Sequence, residues 1–360
     1  MQIRFCFLLL AISLWVASCS ASPTATATLP TLLVFSQAQQ AEPPLLVAVG
    51  PLQEEMGMEI PAPQPLNFSL PGDCSIYNLY PSPNDYVVAA EFVCGGGPLV
   101  QVLNLRNATV EMPAEAYQVD SRFMTWSADG RFLYLKADSL GAPFILRYDL
   151  SNDTSRKLDL PETVYDMAAL PDGRILYALT RGLGFGSEVW VARSDGRRAT
   201  LLFSEPESIV AYLRPSPDAT QLAYILLPDS PQPFPDGKLW LRPLSGGEGR
   251  FVAIADGGHG YAPTWSPDGS GIAFVVRQSA EPFFTNLFFY RLSDESLTPL
   301  TDFSDAVVET ASWSPQGNYL TFNVVRNGTI QVWMTAFPGG EPRPLDETVA
   351  SCCAVWLAGR

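Results

Sequence analysis

His259 is the only histidine in 360 residues, so any serine–histidine–aspartate site would need it as the proton shuttle. It stands in the glycine-rich connection Gly257-Gly258-His259-Gly260-Tyr261, and no Gly-x-Ser-x-Gly turn opens a helical pattern to supply a nucleophile. A single histidine also excludes a histidine-rich metal centre, and no Cys-x-x-Cys spacing offers zinc a thiolate pair. Carboxylates are the remaining chemistry. Two of them can cleave a glycosidic bond, one as acid and one as nucleophile or base. Asp120, Asp166, Glu207, Asp305 and Glu309 are the candidates, with His259, because each lies where the chain enters or begins a repeat unit. A ring fold would gather such segments around one end of an axial channel. The simpler role for each is a solvated loop carboxylate. Asp294-Glu295 and Asp302–Asp305 lack the spacing of a calcium loop, and there is no phosphate-binding or dinucleotide-binding glycine motif. The expectation is therefore no catalytic set, no metal and no cofactor.

What positions these residues is a repeat. Trp265-Ser266-Pro267-Asp268-Gly269 runs straight into the apolar stretch Ile272–Val276, and the phrase recurs as Trp126-Ser127-Ala128-Asp129-Gly130 and Trp313-Ser314-Pro315-Gln316-Gly317. Weaker copies stand around Ser82, Leu170 and Ser216, where Pro81, Ala169 and Pro215 replace the tryptophan. The spacings between the six anchors are 45, 43, 46, 50 and 48 residues. One four-stranded propeller blade takes roughly 40–50 residues. A second feature is locked to the first: Leu103, Leu146, Trp190, Trp240, Phe288 and Trp333 follow each anchor at a similar distance, most with a turn residue behind them. Proline presets one turn dihedral, and Asp-Gly brings a capping oxygen and a residue tolerant of positive φ. The tryptophan reads as packing between blades.

The Trp-Ser-Pro-Asp-Gly phrase resembles the TolB-like propeller repeats, which also occur in the propeller halves of prolyl-oligopeptidase-type enzymes. The resemblance runs from about Leu70 to Arg360. It implies an all-β propeller of four-stranded blades and a protein or peptide ligand. Ala354-Val355-Trp356-Leu357 looks like one further start, 43 residues after Trp313. The reading is six blades, the ring closed by this C-terminal strand pairing with N-terminal segments such as Leu45–Val49 and Met58–Ile60. A complete extra sheet there would make seven.

Residues 1–18 read as a leader: Arg4, then the apolar stretch Phe5–Val16, then small residues before Cys19. Val16-Ala17-Ser18-Cys19 resembles the bacterial lipobox, which implies cleavage before Cys19 and a lipid on its thiol. Ser20 after the cysteine, in place of Asp, implies outer-membrane sorting if the host has two membranes. Residues 19–44, rich in Ala, Thr, Ser, Pro and Gln, read as a tether interrupted by Leu32-Leu33-Val34-Phe35, and 45–360 as the propeller. Cys74, Cys94, Cys352 and Cys353 suit an oxidising compartment. Cys74 and Cys94 flank a hairpin of the first blade, whereas Cys352 or Cys353 either staples the ring to that blade or pairs with its neighbour. Without the leader the chain has 21 basic and 37 acidic groups, a net charge of −16, which argues against nucleic acid and anionic membrane surfaces. The functional expectation is a monomeric, lipid-anchored, extracytoplasmic module that binds an envelope protein or peptide without catalysis. The alternatives are a carboxylate-dependent glycan-active enzyme and an accessory or sensor subunit of a transporter.

Overall fold

The computed structural model describes residues 31–39, 42–52, 58–83, 85–231, 233–259 and 261–358. The leader, Cys19 and the first part of the tether lie outside the described residues. Within them the chain forms seven four-stranded antiparallel sheets in chain order. The second strand of each blade is the most apolar; Val87–Cys94 and Tyr319–Arg326 each bury their first six residues. That follows from position, since a sheet flanked by a blade on both faces has no solvent side. The residues phase-locked to the repeat all fall on third strands, among them Gly97–Asn104 and Thr329–Ala336.

Six repeats account for blades 1 to 6, and the seventh is shared between the chain ends. Its innermost strand is Ser351–Ala358, which pairs with Thr31–Gln39 in the register Thr31↔Ala358, Leu33↔Trp356 and Gln37↔Ser351. Glu42–Leu52 and Gln64–Pro65 complete that sheet. The closing strand also packs on Cys74–Pro81 of blade 1 and Thr329–Ala336 of blade 6. The ring is thus seven-bladed. Two expectations need correction. The propeller begins at Thr31 and not at residue 45: the apolar island Leu32–Phe35 is the direct partner of the closing strand, with Leu33 and Phe35 fully buried. Met58–Ile60 forms no strand; Met58 donates its N–H to the Tyr319 hydroxyl (3.2 Å) and accepts from Arg343 Nη2 (3.1 Å). A polar, proline-rich composition around a short apolar run hid a strand that pairs on one edge with Glu42–Leu52 and on the other with a segment from the far end of the chain.

The repeated phrase does the same work in the blades that keep its serine and aspartate. Ser127, Ser216 and Ser266 each donate their hydroxyl to the aspartate two residues on, at 2.6 Å. Each hydroxyl, like that of Ser314, accepts the N–H that opens the next strand. Gly269 has φ +71° and Gly317 φ +79°, the left-handed conformation such turns require. A Cβ added at Gly317 would lie 3.4 Å from Pro267 Cδ of the preceding turn, so successive turns are close neighbours. The tryptophans bridge blades, as expected. Trp126 donates to the Tyr80 carbonyl of blade 1 (3.1 Å), Trp265 to the Arg214 carbonyl of blade 4 (2.7 Å) and Trp356 to Thr321 Oγ1 of blade 6 (3.1 Å). Cys74–Cys94 is a disulfide across the first hairpin of blade 1. Cys352 bonds to Cys353, so the bridge from the closing strand to blade 1 does not form.

Candidate functional site

The seven innermost strands run from the face carrying the connections between blades, here the linker face, to the face carrying the Trp-Ser-Pro-Asp-Gly turns. Their inner edges line the axial channel. Midway along, the pairing register slips in blade after blade. The slips fall at Ile76/Asn78, Phe123/Thr125, Val164/Asp166, Ala211/Arg214 and Val308/Ala311. In blade 7 the closing strand slips opposite Phe35. Bulges of this kind re-aim side chains. They leave Tyr77, Tyr165, Tyr212 and Glu309 out of the ladder, together with Cys353, whose φ is +66°, and Tyr212 has φ +58°.

Two of the sequence candidates belong to the channel wall. Asp166 is a clamp: its carboxylate accepts the N–H groups of Met167 (2.9 Å) and Leu213 (2.6 Å), the second in the next blade. Burial pushes its carboxyl above the usual range, against the lowering pull of Arg214 and those N–H groups. Glu309 accepts from Asn323 Nδ2 at 3.4 Å and is hydrogen-bonded to the Tyr261 hydroxyl; burial raises it too. The other three carboxylates are not gathered. Asp120 is exposed beside a polar cavity of about 260 Å3 that also contains Arg122 and Lys136. Glu207 is exposed in a turn, and Asp305 is exposed and paired with Arg326 at 2.9 Å. Each lies at or just before the first residue of its innermost strand, above the bulge that turns side chains inward.

His259 sits at the rim of the linker face. Its Nδ1 lies 2.8 Å from Asp256, whose carboxylate is fully buried and also accepts from Arg277 Nε (3.3 Å) and Nη2 (3.2 Å). The imidazole stacks on Phe234 (centroids 4.6 Å, interplanar 1°) and packs against Phe283 and Tyr261. With its Nδ1 against a carboxylate already held by an arginine, and its ring among three aromatic rings, this histidine organises an aromatic cluster. Sequence reasoning missed Arg277 and Phe234, which are distant from His259 in the chain, and Asp256, which directly precedes the glycine-rich segment but belongs to no motif. It also missed Glu91, buried between blades 1 and 2 with Tyr80, the Phe123 N–H and Arg122 as partners.

The larger axial spaces lie on the turn-face half. One is about 300 Å3 and the other about 510 Å3. Every residue immediately before the repeat's tryptophan position lines them: Tyr80, Thr125, Ala168, Arg214, Thr264, Ser312 and Val355. The two spaces share Tyr80, Pro81 and Arg214. This ring was legible in principle, because aligning the copies puts five small or β-branched residues beside one tyrosine and one arginine.

The two faces differ in apolar exposure. Tyr77, Val93, Tyr117, Leu140, Leu183, Phe185 and Phe234 are large apolar residues exposed on the linker face, Leu140 fully so and Phe185 at 70%. The other such residues among those described, Leu201, Phe251, Ile254 and Leu297, lie on outer strands and not on the turns.

The first turn of blade 3 through the end of blade 6, residues 172–350, matches the family model described as the TolB beta propeller domain. Among solved structures, the chain is similar to a prolyl endopeptidase (TM-score 0.60, 10% identity, covering 91% of this chain and 50% of that one). It is similar also to an oligogalacturonate lyase in complex with manganese (TM-score 0.58, 13% identity, 88% and 84%). A third is the β-propeller domain of the Trilobed protease from Pyrococcus furiosus (TM-score 0.53, 14% identity, 76% and 84%). The chain spans half the length of the endopeptidase, and at these identities the likeness is one of fold. The chain is thus a seven-bladed β-propeller that is similar over residues 172–350 to the TolB beta propeller domain.

Proposed function

We propose that the chain is an extracytoplasmic, lipid-anchored propeller that binds a protein or peptide partner on its linker face and does not itself catalyse. The observation that carries this reading is the one-sided exposure of apolar side chains. Leu140, Leu183, Phe185 and Phe234 project from the middle hairpins of blades 2, 3 and 4. Exposed apolar groups clustered on one face and rimmed by charge are the usual footprint of a macromolecular partner, with aromatic residues as anchors. The leader of residues 1–18, followed by Cys19, and the two disulfides support export. A carboxylate enzyme is the weaker reading, because Asp166 and Glu309 are both engaged by neighbouring donors.

The test is capture from cross-linked cell envelopes with the wild-type protein and with Phe185→Asp and Phe234→Asp. The expected outcome is one dominant protein recovered by the wild type and at least about tenfold less by either variant, since an anchor residue contributes 2 kcal/mol or more, ~30-fold. Recovery unchanged by both substitutions defeats the linker-face assignment. Cleavage of a glycan panel by the purified protein, with no partner recovered, defeats the binding reading altogether. Cys19→Ala should release the protein from membranes, and continued membrane association would remove the lipid anchor from the proposal.

A further inference from the structure

A second site lies at the other end of the channel and is independent of the linker-face reading. Arg214 is the one lysine or arginine that lines the two axial spaces, and it lines both. It is half-buried, in a chain of formal net charge −15, and it takes part in none of the ion pairs among the described residues. Its hydrogen bond within the protein runs from Nη1 to the carbonyl of its own neighbour Leu213, at 2.9 Å. A guanidinium has about five N–H donors in a rigid fork, so most of its capacity faces the cavity.

The backbone that carries this side chain is fixed from both flanking blades. Asp166 of blade 3 holds the Leu213 N–H at 2.6 Å, and the Trp265 indole of blade 5 holds the Arg214 carbonyl at 2.7 Å. The equivalent positions in blades 2, 5 and 6 are Thr125, Thr264 and Ser312, so the fold has no structural need of an arginine there. Beside it, Tyr80 stacks on Phe123 with ring centroids 3.7 Å apart and planes 7° from parallel. Both rings line the larger space, which makes a flat aromatic wall next to an arginine that feels the buried Asp166 but forms no ion pair among the described residues.

We propose that the turn-face end of the channel is an anion site in which Arg214 binds a single carboxylate carried on a small apolar or aromatic body, either a free organic acid or the C-terminus of a peptide. Charge selects the monoanion. Asp166 stands on the same wall and works against a second negative charge, whereas the planar fork of arginine matches one carboxylate. Size agrees: spaces of about 300 and 510 Å3 fall in the range, roughly 300–1,000 Å3, that small ligands occupy.

The experiment titrates the wild-type protein with N-acetylphenylalanine and acetyl-Ala-Phe, with the amide of each, and with inorganic phosphate, read by calorimetry or ligand-observed NMR up to about 10 mM, a concentration that reaches weak small-ligand affinities. Each acid should bind at least about tenfold more tightly than its amide, the scale of a charge-assisted hydrogen bond. Arg214→Gln should erase the preference, and Arg214→Lys should restore part of it. Binding of the amino-acid derivative alone assigns the site to free acids, and binding of both assigns it to peptide C-termini. The proposal is overturned if acids and amides bind alike, if phosphate outcompetes both, if no probe binds, or if Arg214→Gln folds and keeps the preference. The acid–amide comparison on the wild type decides the matter even if the variants unfold. Since Phe185→Asp and Phe234→Asp act on the opposite face, they should leave these titrations unchanged.

Discussion

The two ends of the same seven strands are built in different ways. At the turn face, Ser127, Ser216 and Ser266 repeat one set of hydrogen bonds to within a few tenths of an ångström, and the tryptophans of blades 2 and 5 donate to the same carbonyl position of the preceding blade. At the linker face the blades agree less, although blades 1, 3 and 4 each place a tyrosine, Tyr77, Tyr165 and Tyr212, at the register slip. Blade 1 brings Tyr77, blade 4 Tyr212, blade 5 the Asp256–His259–Arg277 group, blade 6 Glu309 and blade 7 a pair of bonded cysteines. Repetition marks what every blade must do, which is to close on its neighbour. Variation marks what a blade is free to do once closure is secured. Function then belongs to the irregular residues, and Arg214 is the informative exception, an irregular residue at a repeated position.

Substitution of the closing tryptophan tests that division most severely. Trp356 is 5% exposed, packs with Leu33, Phe35 and Val47 of the N-terminal strands, and reaches Thr321 of blade 6. Trp356→Ala should lower the unfolding free energy by about 3–5 kcal/mol, as for other buried aromatic truncations, measured by denaturant midpoint. If closure and recognition are separable, the protein that remains folded should still capture its partner. A stability loss no larger than that of an exposed residue would mean that the ring does not depend on this seam.

A smaller effect is expected inside one turn. Ser266 is 3% exposed, and its hydroxyl accepts the Gly271 N–H at 3.1 Å while donating to Asp268. Ser266→Ala leaves that buried N–H without its acceptor, which costs about 1–3 kcal/mol. The same substitution at Ser127 should cost a similar amount, because the bonds are the same. Widely different losses at the two serines would break the claim that the turns are equivalent, and any loss of linker-face binding would break the claim that the faces are independent.

How much of this was legible in the sequence follows the same line. The turn phrase is local chemistry: serine, aspartate and glycine within a few residues fix their own bonds, so the copies and their period could be read directly. Thr31–Gln39 could not, because it lies in a polar, proline-rich stretch and, beside its local hairpin with Glu42–Leu52, its inner edge is fixed by pairing with Ser351–Ala358 at the other end of the chain. The bulges are likewise a property of pairing, and it is the bulge that separates Asp166 and Glu309, which belong to the channel wall, from Asp120, Glu207 and Asp305, which stay in solvent. Tyr80 and Arg214 lay within reach of sequence reading, one residue before the tryptophan position, but the tryptophan drew attention away from its neighbour.

The finest contrast concerns a single carboxyl. Glu309 lies on the irregular half of its strand, and burial raises its carboxyl above the ordinary range even though Asn323 donates to it at 3.4 Å. A carboxyl raised in the folded state binds its proton more readily there than in the unfolded chain. Its contribution to stability is present below the unfolded value and is lost as pH rises through the folded one. Glu309→Gln keeps an acceptor for Asn323 and removes the charge. The variant should therefore melt above the wild type at pH 7, and the difference should shrink towards nothing by about pH 4, where the wild-type carboxyl is protonated as well. The shift should not exceed about 2–4 °C, the size that ~1 kcal/mol produces in a domain of this order. Glu347→Gln, at an exposed position near the end of blade 6, serves as the control for the effect of the substitution itself. A variant that melts below the wild type at pH 7 would show that Glu309 is held as a stabilising charge. The channel wall would then be organised by the same rule of satisfied bonds as the turns, and the contrast between the two halves would narrow to the rim.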